Sequence, residues 1–259
     1  MTRLTILGSG TSFGVPQVGC RCTVCTSADP RDRRTRSGAL VEAASATLLI
    51  DTGPEIRQQL VGAGVARIDG VLFTHEHADH TAGVDDLRIF SVRQRASIPC
   101  YGPSETLRSL RTRYDYIFND AVLAHAGTSK PNLTLHPLTA GTEVEISGVP
   151  LLPLLFRHGY VDVFGYRFGE IAYVTDAKAV PEDLVARLRG VRYLVLNALW
   201  WREHPTHLSI GEAVEVARAV GAEQTYLTHL SHETGHAELA GQLPAGVAPA
   251  YDGLTLEIP

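Results

Sequence analysis

Short apolar runs and amphipathic helical stretches alternate along the whole of this 259-residue chain. Apolar, β-prone runs at 4–7, 39–42, 47–50, 71–73 and 98–101 read as strands in the first half. Those at 144–146, 151–156, 164–168, 171–175, 193–196, 225–228 and 254–258 read as strands in the second. Helical spacing is clearest over 55–63, 105–114, 181–189 and 210–220. The last begins with a capping box, Ser209 with Glu212 three residues on, and stops at Gly221. Its apolar face is Ile210, Ala213, Val214, Ala217 and Val220. Pro181 and Gly190 bracket the preceding helix in the same start-and-stop sense. The stretch 114–133 is the least periodic and reads as an insertion over a functional site. No linker or low-complexity tract divides the chain, so one domain over 1–259 is expected, with two sheets packed together and helices outside. Periodicity alone gives α/β or α+β.

Composition excludes several classes. A chain of this length buries roughly 70–75% of the surface its unfolded form exposes, so it folds without staples. Hydrophobic residues are 44% and charged ones 20%, ordinary for a globular protein. A net charge of −5 argues against a broad electrostatic footprint for extended nucleic acid. Arginines cluster at Arg31, Arg33, Arg34 and Arg36, and again at Arg88, Arg93 and Arg95, either as solvated surface or as a phosphate-facing patch. Neither a cleavable leader nor an apolar run of roughly 18–20 residues is present, so no membrane association is expected. Three of the four cysteines are clustered, a metal-binding spacing rather than a disulfide framework, which points to the cytoplasm.

The candidate chemistry starts at Thr74-His75-Glu76-His77-Ala78-Asp79-His80, directly after the apolar run 70–73. Imidazoles and a carboxylate suit zinc, manganese or iron, and a strand end can aim them at one point. Four donors exceed what one catalytic ion takes while keeping a position open, which implies two ions. His158, Asp176 and His229 each follow an apolar run as well, and their position groups them with the first cluster. Two adjacent ions would supply hydroxide at neutral pH and neutralise phosphoryl oxygens, with no Ser or Cys nucleophile required. Cys20, Cys22 and Cys25 are one ligand short of a closed zinc site. Cys100, inside a strand, reads as a small buried apolar group.

His-x-His-x-Asp-His at 75–80, with Leu48-Leu49-Ile50-Asp51-Thr52-Gly53 upstream, resembles the metallo-β-lactamase superfamily of binuclear hydrolases. Gly8-Ser9-Gly10-Thr11-Ser12-Phe13-Gly14-Val15-Pro16 followed by Cys20-x-Cys22-x-x-Cys25 is similar to its phosphodiesterase branch, which includes the PhnP-type cyclic ribose phosphate phosphodiesterase of phosphonate breakdown. The likeness runs from Leu4 to the C-terminus. It implies a four-layered αββα sandwich. It also implies that His75, His77 and His158 hold one divalent ion, manganese or zinc, and Asp79, His80 and His229 the other, with Asp176 bridging. Asp79 and His207 would be the catalytic residues, His207 protonating the leaving alkoxide or binding phosphate, with His204 a weaker alternative. Asp51 would orient a ligand from behind, unless it is only a turn former. A structural zinc would take Cys20, Cys22 and Cys25 with His232, favoured by the motif over His236, in a knuckle at 20–25.

These expectations converge on a phosphodiesterase acting on a small cyclic or nucleotide-like substrate, without a nucleic-acid or membrane partner and with a homodimer as the oligomeric option. Rival readings are a tRNA 3′-processing ribonuclease, which normally carries a basic Gly-rich arm, and a thioester or lactam hydrolase, which needs no cysteine cluster. A di-iron oxidoreductase would carry a glutamate in place of His77, and a degenerate scaffold would have lost ligands.

Overall fold

The computed structural model describes residues 1–43 and 46–259. The first half supplies β1 (Thr2–Gly8), β2 (Gly38–Ala43), β3 (Ala46–Ile50), β4 (Gly70–Leu72), β5 (Ile98–Gly102) and β6 (Leu133–Pro137) to one sheet. A second sheet takes β7 (Val144–Ile146), β8 (Val149–His158), β9 (Val161–Phe168), β10 (Ile171–Val174), β11 (Tyr193–Asn197), β12 (Gln224–Thr228) and β13 (Val247–Pro249). The last strand, β14 (Thr255–Ile258), returns to the first sheet beside β1. The strand orders are β14-β1-β2-β3-β4-β5-β6 and β13-β12-β11-β10-β9-β8-β7. In each sheet one side is antiparallel and the other parallel: β3 to β6 run parallel in the first, β10 to β13 in the second.

Period-two alternation decides which residue faces which layer. Leu4, Ile6, Leu48, Ile50 and Leu72 of the first sheet meet Phe164, Tyr166, Ile171, Tyr173 and Val195 of the second between the sheets. The intervening Leu49, Val71 and Phe73 face outward under α1 (Ile56–Gly62), α3 (Arg88–Gln94), α4 (Ser104–Arg113) and α5 (Asp115–Phe118), the last three following a short α2 (Ala78–Thr81). Ala172, Val174, Leu194 and Leu196 face outward under α6 (Glu182–Leu188), α7 (Ile210–Val220) and α8 (His236–Gln242). Strands covered on both faces are apolar throughout, which is why they stand out in the sequence as unbroken runs. The layers are αββα. The predicted capping box is in place: Ser209 Oγ accepts from Glu212 N, and Glu212 accepts from Ser209 N at 2.7 Å, a cap contributing about 1 kcal/mol.

Two strands, β6 and β13, are absent from the sequence reading. Both are sheet edges and both contain proline, which an edge tolerates because it need not donate outward. The stretch 114–133 is therefore not simply an insertion. It begins with α5, is tied to α2 by Tyr114 Oη donating to Thr81 O at 3.1 Å, and ends by entering β6. The arginine clusters also need correction. Arg34 is neither solvated nor phosphate-facing: it is 1% exposed and donates to Ser231 O at 2.6 Å and Thr234 O at 3.0 Å. Arg88, Arg93 and Arg95 are exposed on and just after α3.

Candidate metal centre

The predicted donors lie at or beyond the carboxyl ends of strands, the edge where open α/β sheets place their ligands. After β4 the chain carries His75 and His77, then turns into α2, so Asp79 and His80 arrive from a helix. β8 ends on His158, β10 is followed by Thr175 and Asp176, β12 by His229, and the connection after β11 by His207.

Asp176 is the hub. Its Oδ2 lies 3.5 Å from His80 Nε2, 3.5 Å from His207 Nε2, 3.7 Å from His75 Nε2 and 3.9 Å from His158 Nε2, while Oδ1 lies 3.1 Å from His229 Nδ1. His75, His77, His158 and Asp176 offer ligand atoms that all fall within 4.8 Å of one another, and so do His80, Asp176 and His229. Asp79 Oδ2 is 3.3 Å from His80 Nε2, which adds it to the second group's side.

The donor set fits divalent cations on two counts. First, the inward nitrogens of His75, His80 and His207 are buried without a hydrogen-bond partner, and leaving such a group unsatisfied costs about 1–3 kcal/mol. Second, the protonation states are those a metal needs. Burial keeps His75 well below its usual pKa, lowers His158, and holds His229 at about 4, so all three are free bases. Burial works to raise the Asp176 and Asp79 carboxyls, but the neighbouring His229 and His80 hold both below their ordinary range. Burial likewise opposes the charge on His80, and Asp176, Asp51 and Asp79 outweigh it, so without metal His80 keeps a proton among carboxylates. A cation can replace that proton.

The ligands are held from behind. Asp51, fully buried, accepts from His80 Nδ1 at 2.7 Å, and from Thr74 N and Thr74 Oγ1 at 2.8 Å each. His80 must therefore turn Nε2 inward, so Asp51 is more than a turn former. His158 Nδ1 donates to Thr206 O at 2.7 Å with the same effect. His229 lies between Ser37 Oγ, 3.1 Å from Nδ1, and Thr11 Oγ1, 3.3 Å from Nε2. The sequence does not mark Thr11, Ser37, Thr74 or Thr206 as site residues: Thr11 and Thr74 lie inside the two motifs, while Ser37 and Thr206 carry no signal. Asp51, Asp176 and His229 all have φ near +60°, values of 62°, 56° and 59°. Backbone strain of this kind gathers at functional sites. Gly53 is required for close approach, since a Cβ there would sit 2.6 Å from Asp79 O.

His207 Nδ1 lies 3.1 Å from Thr206 Oγ1 and 3.1 Å from His204 Nδ1. His204 thus braces His207 and stands one imidazole further from Asp176.

At the knuckle, Cys20 Sγ, Cys22 Sγ and Cys25 Sγ stand 3.4, 3.4 and 3.5 Å from one atom, His232 Nδ1. One ring nitrogen carries at most one proton, so hydrogen bonding cannot explain three equal distances. A tetrahedral zinc with Zn–S about 2.3 Å and Zn–N about 2.0–2.1 Å spaces sulfur and nitrogen about 3.5 Å apart. The Cys22 thiol is lowered to about 6, chiefly by the Cys25 N–H, whereas burial pushes Cys25 to about 11. His236 lies elsewhere, its ring against Tyr251 and its N–H on Asp32. Cys100 is fully buried in β5.

A β-lactamase superfamily domain matches residues 46–230. A crystal structure of a new diphosphatase from the PhnP family is 39% identical, with a TM-score of 0.91 over 98% of this chain and 96% of that one. An octanoyltransferase of Porphyromonas gingivalis is 38% identical across 97% of this chain, which spans about half (51%) of that protein's length. The fold is shared with Zn(2+)-bound PqqB from Methylobacterium extorquens, TM-score 0.80 at 21% identity over 99% of this chain and all of that one. Among the described residues, no helix is long and apolar enough to cross a membrane.

Proposed function

Because this chain belongs to the metallo-β-lactamase superfamily of metal-dependent hydrolases, and within it to the PhnP family, we propose that it is a binuclear phosphodiesterase acting on a small cyclic or nucleotide-like phosphodiester. The observation that carries the reading is the single carboxylate of Asp176 shared between two imidazole groups. His75, His77 and His158 would hold one divalent ion, manganese or zinc, and Asp79, His80 and His229 the other, with Asp176 common to both. Cys20, Cys22, Cys25 and His232 would hold a structural zinc. Bound divalent ions supply Lewis acidity toward phosphoryl oxygens and acidify water.

The protein's own groups do the rest. Asp51 and the Thr206 carbonyl fix the tautomers and aim of His80 and His158. Asp79, which His80 at 3.3 Å holds below the ordinary carboxylate range, would accept a hydrogen bond from the attacking water. His207 has its Nδ1 engaged by Thr206 and His204, so Nε2 faces the hub 3.5 Å from Asp176. It gives its proton to the departing alkoxide, a step contributing roughly 10²–10⁴-fold.

A turnover screen tests the reading. Cyclic phosphates, linear phosphodiesters, a lactam and a thioester are offered to the purified protein with manganese or zinc. Phosphodiesters should be the substrates cleaved. Lactam or thioester hydrolysis with a higher kcat/KM would sink the proposal.

A further inference from the structure

We infer that Asp252, in the turn between β13 and β14, is a positioning residue for His229 and through it sets how tightly the His80–Asp176–His229 group holds its ion; the inference rests on the binuclear reading. Asp252 has no hydrogen bond or ion pair with any member of that group. Its carboxylate instead accepts four hydrogen bonds. Oδ1 takes Ser9 N at 2.8 Å and Ser9 Oγ at 2.7 Å, and Oδ2 takes Thr35 N at 2.8 Å and Thr35 Oγ1 at 2.6 Å. One side chain thereby draws together two segments of chain, 8–11 and 34–37.

Both segments lead to the same imidazole. Two residues past Ser9, Thr11 Oγ1 lies 3.3 Å from His229 Nε2. Two residues past Thr35, Ser37 Oγ lies 3.1 Å from His229 Nδ1. The segments are also bonded to each other: Gly10 N donates to Thr35 O at 2.8 Å, and Ser37 Oγ donates to Gly10 O at 3.0 Å. They approach so closely that a Cβ on Gly8 would lie 1.9 Å from Arg36 O. The ring of His229 is therefore held between two hydroxyls whose spacing the carboxylate fixes. Held in this way, His229 keeps Nδ1 3.1 Å from Asp176 Oδ1. Groups that fix the orientation of a ligand tune the affinity of the metal it binds.

Fastening the last strand does not require this carboxylate. β14 already pairs with β1 from Thr2↔Ile258 to Thr5↔Thr255, and Gly253 N donates to Ile6 O at 2.7 Å. The other donors of the centre have separate supports. His80 leans on Asp51, His75 meets Thr74, and His158 is held by Thr206 O. None of these supports is bonded to Asp252, Ser9 or Thr35 among the described residues. Asp252 therefore acts on one half of the centre, and that asymmetry is what a metal titration can read.

Manganese alone is the probe. Protein stripped of its active-site ions by mild chelation, with the knuckle zinc retained, is titrated and followed by electron paramagnetic resonance, which separates isolated ions from a coupled pair. The unmodified protein should take two manganese ions and show the coupled signal, and His229→Ala identifies the binding step that belongs to its group. Asp252→Asn keeps the shape but turns an amide N–H toward Ser9 or Thr35, so one segment loses its acceptor. That step should weaken by about tenfold while the other is unchanged. Ser9→Ala deletes only one of the four bonds and should give the same split at about threefold, which keeps the test open if the Asn variant does not fold. Equal weakening of both ions, or a lower Tm with both affinities intact, would overturn the inference and leave Asp252 a fastening of the fold. A single manganese ion with no coupled signal in the unmodified protein would instead overturn the binuclear reading.

Discussion

The two metal-binding regions share one short segment but are built oppositely. His229 and His232 are three residues apart after β12, one turned to the His/Asp cluster and the other to three cysteine sulfurs. Their common segment is clamped on every side. Leu230 N donates to Ser9 O at 2.9 Å, Ser231 N donates to Leu199 O at 3.1 Å, and the buried Arg34 donates to Ser231 O and Thr234 O. The knuckle draws three ligands from six residues of chain and leaves no free edge, which is the closed arrangement of structural zinc. The His/Asp cluster gathers donors from several strand ends and keeps inward nitrogens unsatisfied. On the proposed reading, the open His/Asp cluster would be the site that reacts and the closed knuckle the site that holds.

The sharpest way to break that contrast is to remove the hub. Asp176→Ala takes away the one carboxylate common to both imidazole groups. Turnover should fall to background, a loss of about 10⁴-fold or more, since both Lewis acidity and positioning depend on it. The knuckle should keep its zinc, so elemental analysis should drop from about three ions per chain toward one. Retention of three ions with activity intact would mean that Asp176 is not a ligand.

His207→Ala tests which open-site residue moves a proton. kcat should fall by roughly 10²–10⁴ on a substrate with an alkoxide leaving group, and far less on an aryl phosphodiester whose phenolate leaves unaided. Metal content should stay the same. Equal losses on both substrates would make His207 a phosphate-binding group instead.

Asp51→Asn probes one step further out. It keeps the shape behind His80 but weakens the acceptor for Nδ1, so metal affinity or activity should fall about 10- to 100-fold. A manganese titration of the variant measures it. Unchanged affinity would return Asp51 to a turn-forming role.

The same contrast explains what could be read from the chain. Central strands buried on both faces announce themselves as apolar runs, and α7 falls at its expected bounds. Edge strands β6 and β13 do not, because proline interrupts each, whereas the proline-free edges β7 and β14 are legible. The donors His75, His77, Asp79 and His80 sit together in sequence and are legible there. Their supports are not: Ser37 and Thr206 are ordinary hydroxyl residues until folding sets them beside His229 and His158. Arg34 shows the limit of composition, since an arginine-rich run gives no hint that one member is buried as a clamp between the knuckle and β12's exit.

The smallest effect on catalysis should come from the closed site, and it is the most telling about the shared segment. Cys22→Ser removes one of three sulfurs that stand 3.4 to 3.5 Å from His232 Nδ1. Structural zinc contributes about 10–16 kcal/mol of apparent binding free energy in small peptides, where nothing else folds the chain. Here three apolar clusters already hold the layers together, so only about 3 kcal/mol should be lost, a fall of roughly 6–12 °C in Tm. Activity should drop by about tenfold or less, because Arg34 and the Ser9 and Leu199 bonds keep His229 in place after His232 is released. Differential scanning calorimetry and zinc analysis on the same preparation decide it. A variant that melts like the unmodified protein and keeps all its zinc would show that the cysteines hold no metal. A collapse of turnover as deep as that of Asp176→Ala would show that the two sites are one mechanical unit.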